Sequence, residues 1–463
     1  MARILFFSHY STHAGLDGAN RMLMVTAAGL PNEKYKKVFV SPHPGVISEH
    51  LKNLKITEKI IPYDCNQLSQ SIFRAFNKNK DMDPYKKIEK ALSKHPLYHF
   101  FHAWKPDIVY ANTILSIPAA ILGKMVGAKV LLHVHEIVSN NLKKEDRAIF
   151  FNLVNRYADK IIVISRAVMK SMGKPGRSKR CELVYNGVEF HGYKKAEIRR
   201  KGKEIRKRLR LEEERPVAAY LGSIAPHKGV DMFIRMADLI LKKDPSFRFL
   251  IIGDVKREPS YTRALKRLVR ILGRDEEIKF TGYCHQLSDL LPAIDCLVVP
   301  SAFKEPFGLV HVEANLFFKP VVAFDTGGIA EAVIHGKNGL LVQSGDIESL
   351  AFSVYAVCKG LGLKEKMGNY GYRRAVTRFG LPRYVKNMNE ILEELLAGSY
   401  NPSQRRDGRI IKGRGPEVYI IQDGRKRHIK DEKVLERLGI DWSDVETVSD
   451  EILHSIPTGE SVK

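Results

Sequence analysis

The chain has 463 residues, too many for a single hydrophobic core, so we expect roughly two or three domains. Its formal net charge of +24 predicts an anionic partner or surface, such as a nucleotide, a phospholipid or a polyanion. The five cysteines lack metal or redox spacing, the N-terminus lacks a signal-peptide layout, and no apolar run is long enough for a membrane span. We therefore expect a cytoplasmic protein whose contact with an anionic membrane, such as the inner face of the plasma membrane, could only be peripheral.

Apolar runs that end in turn or polar residues alternate with helical patterns over the first 190 residues. These runs are Ile4–Ser8, Val38–Ser41, Ile60–Tyr63, Ile108–Ala111, Val130–Val134, Ile161–Ser165 and Leu183–Tyr185. Strands that alternate with helices predict a doubly wound α/β domain with a parallel sheet. Ligands of such sheets bind beyond the carboxyl ends of the strands, so the residues after each run are candidate site residues.

Two of these positions carry glycines or histidines. Gly15 and Gly18 precede the first helix, but their spacing is not the G-x-G-x-x-G fingerprint, which argues against a nicotinamide cofactor. The residues alone leave open whether they form a plain tight turn or part of a site. His133 and His135 share one face of a strand end because side chains alternate, and taken alone they indicate structural histidines.

The segment 69–105 interrupts the strand rhythm with interleaved basic and aromatic residues. This composition suits the surface of an anionic membrane. It also suits solvated helices whose apolar side packs on the core, which is the reading we favour. Asp81 and Asp83 imitate an acidic metal-binding pair, but they lie between lysines and a proline instead of after a buried strand, so we predict a loop.

The second half repeats the pattern after a strongly charged stretch at 194–215, which predicts a solvated helix or linker. Ser223 and Lys228 follow the first apolar run of this half. The runs predict a second parallel sheet; they are Val217–Leu221, Phe249–Ile252, Ile278–Phe280, Leu297–Val299, Val321–Phe324 and Leu340–Val342.

The stretch after the fourth of these runs carries two carboxylates, Glu305 and Glu313, on either side of a helix start predicted near Gly308. Helix starts attract phosphate, a bare glycine lets the backbone approach a ligand, and carboxylates accept hydrogen bonds from sugar hydroxyls. Together they predict a pocket for a sugar nucleotide. A charged helix cap with one solvated glutamate is the alternative.

This stretch, with the Gly327-Gly328 turn and the Asn338-Gly339 turn behind it, resembles the retaining glycosyltransferases of the E-x7-E type, glycosyltransferase family four. The resemblance covers most of residues 1–397. It implies the GT-B architecture, an α/β fold in which two Rossmann-like doubly wound parallel-sheet domains face a cleft. The sequence shows no metal-ligand cluster, so we expect protein cations to take the place of a metal and the nucleotide sugar to act as a cosubstrate without a further cofactor.

The resemblance also implies roles for individual residues. Glu305 would face the transferred sugar, Glu313 would hold the ribose, and Lys228 would offset charge on the leaving diphosphate. His135 would be the active-site histidine, with His133 the weaker candidate. Further donor contacts would come from Gly18, Ser223, Phe307, Gly308 and Leu309. Two positions depart from the family pattern, which commonly has an arginine at Ser223 and a glutamate at Asn20.

The expected domains follow from the same comparison. They are an N-terminal acceptor-side domain at 1–190, a nucleotide-sugar-binding domain at 191–380, a helix at 381–397 that crosses back to the first domain, and a linker at 398–409. A small hairpin and helix module at 410–463, which we call the C-terminal module, departs from the family. Its hairpin turn is predicted at Asp423-Gly424.

The predicted function is transfer of a hexose from a UDP-, GDP- or ADP-sugar to a glycan or lipid-linked acceptor, with retention, in envelope polysaccharide or glycoconjugate biosynthesis. One rival is a sugar-nucleotide epimerase or hydrolase on the same architecture. Another is a non-catalytic polyanion-binding protein, which the charge would suit, although the sequence has no RNA- or DNA-binding motif and we expect no nucleic-acid partner. The third rival is a degenerate transferase, and its main support is Ser223, which stands where the family commonly has an arginine.

Overall fold

The computed structural model describes residues 1–10, 17–77, 83–190, 192–398 and 407–462. The chain divides into two compact units, one of Met1–Gly187 with Pro382–Gln404 and one of Val188–Leu381 with Arg405–Lys463. We call them the N-terminal unit and the C-terminal unit. The predicted Gly15 and Asp81 fall outside the described residues.

The N-terminal unit is built on a seven-stranded parallel sheet in the order β3-β2-β1-β4-β5-β6-β7. Its central strand β4 is buried along its whole length, which explains its continuous apolar sequence. The strands are β1 Ala2–Phe7, β2 Tyr35–Ser41, β3 Thr57–Ile60, β4 Ile108–Asn112, β5 Lys129–Val134, β6 Lys160–Val163 and β7 Cys181–Leu183. The helices are α1 Gly18–Gly29, α2 Val46–Asn53, α3 Cys65–Asn77, α4 Pro84–Leu92, α5 Pro96–Trp104, α6 Ile117–Met125, α7 Val138–Asn141, α8 Lys144–Tyr157 and α9 Arg166–Ser171.

Two predicted strands are misplaced, and both are edge strands. The run predicted at Ile60–Tyr63 begins where β3 ends, and the run predicted at Leu183–Tyr185 begins at the last residue of β7. Edge strands are partly solvated, so β3 is mostly exposed and carries polar residues. The apolar residue that marked this run, Ile61, is buried just after the strand.

The segment 69–105 forms α3, α4 and α5 in its described part. Its aromatic residues are buried or half-buried, and Phe73 and Phe101 lie in the core. Lys86, Lys90 and Lys94 are exposed, and Lys87 is half-buried. These are amphipathic helices packed on the unit, which is the reading that the sequence favoured. Asp83 caps α4 by accepting a hydrogen bond from the backbone N–H of Tyr85 at 3.0 Å.

The C-terminal unit contains a six-stranded parallel sheet in the order β10-β9-β8-β11-β12-β13. The strands are β8 Val217–Leu221, β9 Arg248–Ile252, β10 Ile278–Gly282, β11 Cys296–Val299, β12 Val321–Phe324 and β13 Gly339–Val342. The helices are α10 Lys195–Arg208, α11 Val230–Lys243, α12 Pro259–Ile271, α13 Leu309–Leu316, α14 Ile329–Ala332, α15 Ile347–Lys359 and α16 Leu361–Phe379. The alternating strands and helices confirm the predicted pair of doubly wound parallel sheets.

The charged stretch at 194–215 is mainly a helix and not a linker. In α10 one stripe, Ile198, Gly202 and Ile205, is buried. Gly202 is needed there because a Cβ would lie 2.6 Å from the carbonyl oxygen of Pro292. The C-terminal unit begins at Val188, whereas the sequence predicted its start at residue 191. The Val188 N–H connects this residue to the unit by donating to Phe379 O at 2.7 Å.

The helix α17, Leu381–Ala397, returns to the N-terminal unit, where Tyr384 shares a 2.7 Å hydrogen bond with Thr26 of α1. The C-terminal module adds a four-stranded sheet in the order β16-β15-β14-β17 to the C-terminal unit. Its elements are β14 Ile410–Lys412, β15 Val418–Gln422, β16 Arg425–Ile429, α18 Glu432–Arg437, β17 Val445–Thr447 and α19 Asp450–Ser455. The predicted hairpin turn is present, with positive φ at Asp423 and Gly424.

Candidate functional site

The strand order of the C-terminal unit places β8 and β11 side by side although other strands separate them in sequence. At such a switch point the loops leave in opposite directions and open a crevice beyond the strand ends. Lys228 ends a short 3-10 helix after β8, and Glu305 lies in the loop after β11. The two side chains that the sequence singled out therefore come from the two strands at this crevice.

Lys228 and Glu305 form a two-pronged ion pair. The Lys228 ammonium donates to Glu305 Oε1 at 3.0 Å and to Oε2 at 2.7 Å, and Ser301 Oγ donates to Oε2 at 3.2 Å. Burial alone would raise the pKa of Glu305, but the charge and hydrogen bonds of Lys228 outweigh burial and hold this pKa below its usual value. Glu305 is therefore an ionised acceptor at neutral pH, held in place by Lys228 and Ser301.

The backbone of Glu305 is fixed by the Gly327–Gly328 turn. The Gly328 N–H donates to Glu305 O at 2.7 Å. Gly327 has φ +61°, and a Cβ there would lie 2.1 Å from the same oxygen. Only glycine fits so close a contact in this left-handed conformation. The turn therefore supports the Glu305 loop.

The helix α13 begins next to this carboxylate. Its N-cap Gly308 has φ +81°, and a Cβ would lie 2.2 Å from the His311 ring. The first N–H groups of a helix point outward with partial positive charge, which favours a phosphate. The predicted helix start near Gly308 is confirmed.

His311 was missed by the sequence reasoning, although it lies inside the stretch that carried the prediction. Its ring is fully buried, Nδ1 donates to Gly308 O at 2.6 Å, and Nε2 has no hydrogen-bond partner among the described residues. Burial lowers the pKa of His311, which keeps the ring neutral. The signal that could have found it is the i+3 spacing from Gly308, which brings the ring under the helix start.

The other predicted donor residues of this unit differ in their surroundings. Glu313 is buried on α13, whereas Leu309 at the helix start and Ser223 after β8 are half-buried. Phe307 is buried in edge contact with Phe379, with ring centroids 5.3 Å apart, so its side chain supports the loop from below. Ser223 is held through its carbonyl, which accepts a 2.7 Å hydrogen bond from a tyrosine hydroxyl of β8.

In the N-terminal unit, three histidines form what we call the histidine cluster: His9, His133 and His135. All three are buried, and the rings of His133 and His135 lie 4.0 Å apart. Burial lowers the pKa of His9 to about 4 and of His133 to about 3, and burial with the neighbouring histidines lowers the pKa of His135 well below its usual value. The cluster is therefore neutral at physiological pH.

The members of the cluster differ in their hydrogen bonds. His133 Nδ1 pairs with the Tyr110 hydroxyl at 2.6 Å, whereas neither ring nitrogen of His135 has a partner among the described residues. One ring nitrogen of His9 and one of His133 also lack a partner among the described residues, but in His135 both do, and a buried imidazole normally finds a partner. Next to it, burial raises the pKa of Glu136 to about 7.

Gly18 is the first residue of α1, after the N-cap Asp17. A Cβ on Gly18 would meet no described atom within 4 Å. Packing among the described residues therefore does not require glycine at this position.

The described residues hold no group of histidine, cysteine or acidic side chains arranged to bind a metal ion. Within the same residues, no helix combines the length and the apolar character needed to cross a bilayer.

Both halves of the chain match known families. Residues 16–191 match the family model Glycosyltransferase Family 4, and residues 201–374 match Glycosyl transferases group 1. Among curated proteins, an uncharacterized glycosyltransferase of Methanocaldococcus jannaschii is 25% identical over 76% of this chain and 96% of its own length. A D-inositol 3-phosphate glycosyltransferase of Streptomyces bingchenggensis is 29% identical, but the match spans 47% of this chain and 48% of that relative.

Among solved structures, HepE of Anabaena in complex with UDP-glucose has a TM-score of 0.69 and 23% identity, covering 85% of this chain and all of HepE. These likenesses confirm the GT-B fold class that the sequence predicted. The chain is a glycosyltransferase and belongs to the family-four and group-one glycosyltransferases.

Proposed function

We propose that the chain transfers a hexose from a nucleoside diphosphate sugar, with retention of configuration, to a glycan or lipid-linked acceptor of the cell envelope. The observation that carries the proposal is the Lys228–Glu305 pair, which lies at the strand switch point of the C-terminal unit in the same loop that leads into α13. UDP is the first nucleotide to test, because the similar HepE structure holds UDP-glucose.

The parts of this arrangement suggest a division of labour. The Lys228 ammonium has three N–H donors and directs two hydrogen bonds to Glu305, so its third donor can bind a diphosphate oxygen. The start of α13 at Gly308 would share that charge. Glu305 would accept hydrogen bonds from the sugar hydroxyls and Glu313 from the ribose.

Catalysis would then rest on electrostatic stabilisation of the departing diphosphate. Lysine and helix dipole would supply the positive charge, so we propose that transfer needs no metal ion, and the rate should not change when EDTA is added. His135 belongs to the other unit, and its part in the reaction stays a prediction.

The test uses a panel of UDP-, GDP- and ADP-sugars. A donor present at a hundred times its Kd stabilises the protein by about 2.7 kcal/mol, which a thermal shift assay detects. With the right donor, release of nucleoside diphosphate should depend on an added acceptor, and NMR should show that the anomeric configuration is retained. Release that ignores the acceptor would favour a hydrolase or epimerase, and no response to any donor would refute the proposal.

A further inference from the structure

A buried arginine of α16 contacts both the C-terminal module and the loop that supports Glu305. The side chain of Arg374 is about 1% exposed, and it is among the largest fully buried side chains of the described residues. A guanidinium is always charged and has five donors in a rigid fork, so its position depends on every acceptor around it.

On one side the acceptors belong to the C-terminal module. Arg374 Nη1 donates to Asp444 Oδ2 at 2.5 Å and to Gly439 O at 3.1 Å, and Nη2 donates to Asp444 Oδ1 at 2.9 Å. The backbones meet directly as well, because a Cβ on Gly439 would lie 2.4 Å from Arg374 N. Burial would raise the pKa of Asp444, but Arg378 and Arg374 outweigh it and hold this pKa below its usual value.

On the other side the acceptors belong to α14, which directly follows the Gly327–Gly328 turn. Arg374 Nη2 donates to Glu331 O at 2.7 Å, and Nε donates to Ala332 O at 3.3 Å. Asn338 Nδ2 also donates to Ala332 O at 3.0 Å and donates to Asn315 Oδ1 of α13 at 2.8 Å. The Ala332 carbonyl is thus bound by Arg374, which also holds the C-terminal module, and by Asn338, which also holds α13, the helix that carries Glu313.

The turn before α14 then reaches the site itself. Its Gly328 N–H donates to Glu305 O at 2.7 Å. A continuous set of hydrogen bonds and backbone contacts therefore runs from Asp444 through Arg374 and the 327–332 segment to Glu305.

We propose that the C-terminal module is a positioning element of the nucleotide-sugar site, with Asp444 orienting Arg374 so that Arg374 holds the segment that fixes Glu305. This inference rests on the proposed function of that site. A carboxylate paired with a buried guanidinium is costly to remove, because the remaining charge must find another partner or move toward water. If Arg374 moves, the carbonyls of Glu331 and Ala332 lose a charged donor and the Glu305 loop loses its support.

The first experiment compares Asp444→Asn with Glu446→Gln in the full chain. Glu446 also forms an ion pair in the module, with Arg409 at 2.7 Å, but its side chain is 31% exposed, whereas that of Asp444 is 4% exposed. We expect Asp444→Asn to raise the Kd for UDP, measured by calorimetry, and the KM for the donor by about tenfold, a coupling of the size usual between linked sites. The KM for the acceptor should not change, and Glu446→Gln should behave as the wild type.

A purely structural role for Asp444 gives a different result. Urea unfolding would then show reduced stability for Asp444→Asn, while the Kd for UDP and the donor KM would match those of Glu446→Gln. That outcome would overturn the inference.

The second experiment uses the wild-type protein and decides the matter even if Asp444→Asn does not fold. Coupling is reciprocal, so a nucleotide that binds more tightly when the module is docked must also stabilise the docking. Hydrogen exchange with and without UDP, GDP or ADP should slow at the Gly328 amide and also at the Ile440 and Asp444 amides of the module. Slowing at Gly328 alone would overturn the inference while leaving the proposed function intact. No slowing with any nucleotide would overturn both.

Discussion

Replacing Glu305 by glutamine tests the site at its centre. The side chain keeps its shape and loses its charge. Two charge-assisted hydrogen bonds from Lys228, at 3.0 and 2.7 Å, and one from Ser301 at 3.2 Å are weakened together. The glutamine NH₂ group would also face the Lys228 ammonium with a donor where an acceptor is needed.

The expected loss of kcat/KM follows from these contacts. The Lys228 and Glu305 side chains are 25% and 13% exposed, so water screens the pair only in part. A hydrogen bond to a charged group contributes about 1.5–3 kcal/mol. Because Glu305 is proposed to bind the transferred sugar with the same carboxylate, we expect kcat/KM to fall by about ten- to a hundredfold.

The assay is release of nucleoside diphosphate with donor and acceptor present. Glu348→Gln is the matched control, since Glu348 is an exposed glutamate in the first turn of α15 in the same unit and should change nothing. Unfolding by urea in both variants separates a binding defect from a folding defect. If Glu305→Gln turned over the donor as fast as Glu348→Gln, the assignment of this carboxylate would be wrong.

Three further predictions follow from the structure. Lys228→Gln should lose activity to a similar extent as Glu305→Gln, and the double variant should lose little more, because a contacting pair is not additive; fully additive losses in a double-mutant cycle would contradict the pairing. Gly327→Ala should lower the rate about tenfold or more, because its Cβ would press on Glu305 O. Gly345→Ala, which has φ +87° but no atom within 4 Å of its Cβ, should lose only about 1 kcal/mol of stability and keep its rate; equal rates in the two would show that the contact at Gly327 is unimportant. His135 is neutral when folded because burial lowers its pKa, whereas an unfolded histidine is protonated as the pH falls through about 6.5. Acid therefore favours unfolding, and His135→Gln should reduce the stability lost between pH 7 and pH 5 in urea unfolding by about 2 kcal/mol relative to the wild type; an unchanged loss would mean that the folded histidine titrates normally.

The sequence predicted the parts of this structure that local pattern determines. Buried parallel strands give continuous apolar runs, so the central strands and the helix start at Gly308 were found where they lie. Edge strands such as β3 are half solvated and lack that signal, so the nearby Ile61 was mistaken for the strand. In α10 the buried stripe is narrow and hidden among charges, which is why a linker was an open alternative.

The site was predictable only in part, for a physical reason. Glu305 and Lys228 stand in recognisable strand-loop-helix contexts, but their 2.7 Å contact joins residues far apart in the sequence. The same holds for Arg374 and Asp444, because the local sequence around neither residue indicates that the two form an ion pair. His311 was visible in the sequence, but only the left-handed backbone at Gly308 shows that its ring lies beneath the helix start.

A structure of the full chain bound to UDP would show whether the Lys228–Glu305 pair belongs to the nucleotide site. We expect a diphosphate oxygen within hydrogen-bonding distance of Lys228 Nζ at the start of α13, with the ribose hydroxyls on Glu313. A nucleotide bound elsewhere on the C-terminal unit, with the Lys228–Glu305 pair unchanged and no contact to α13, would contradict it.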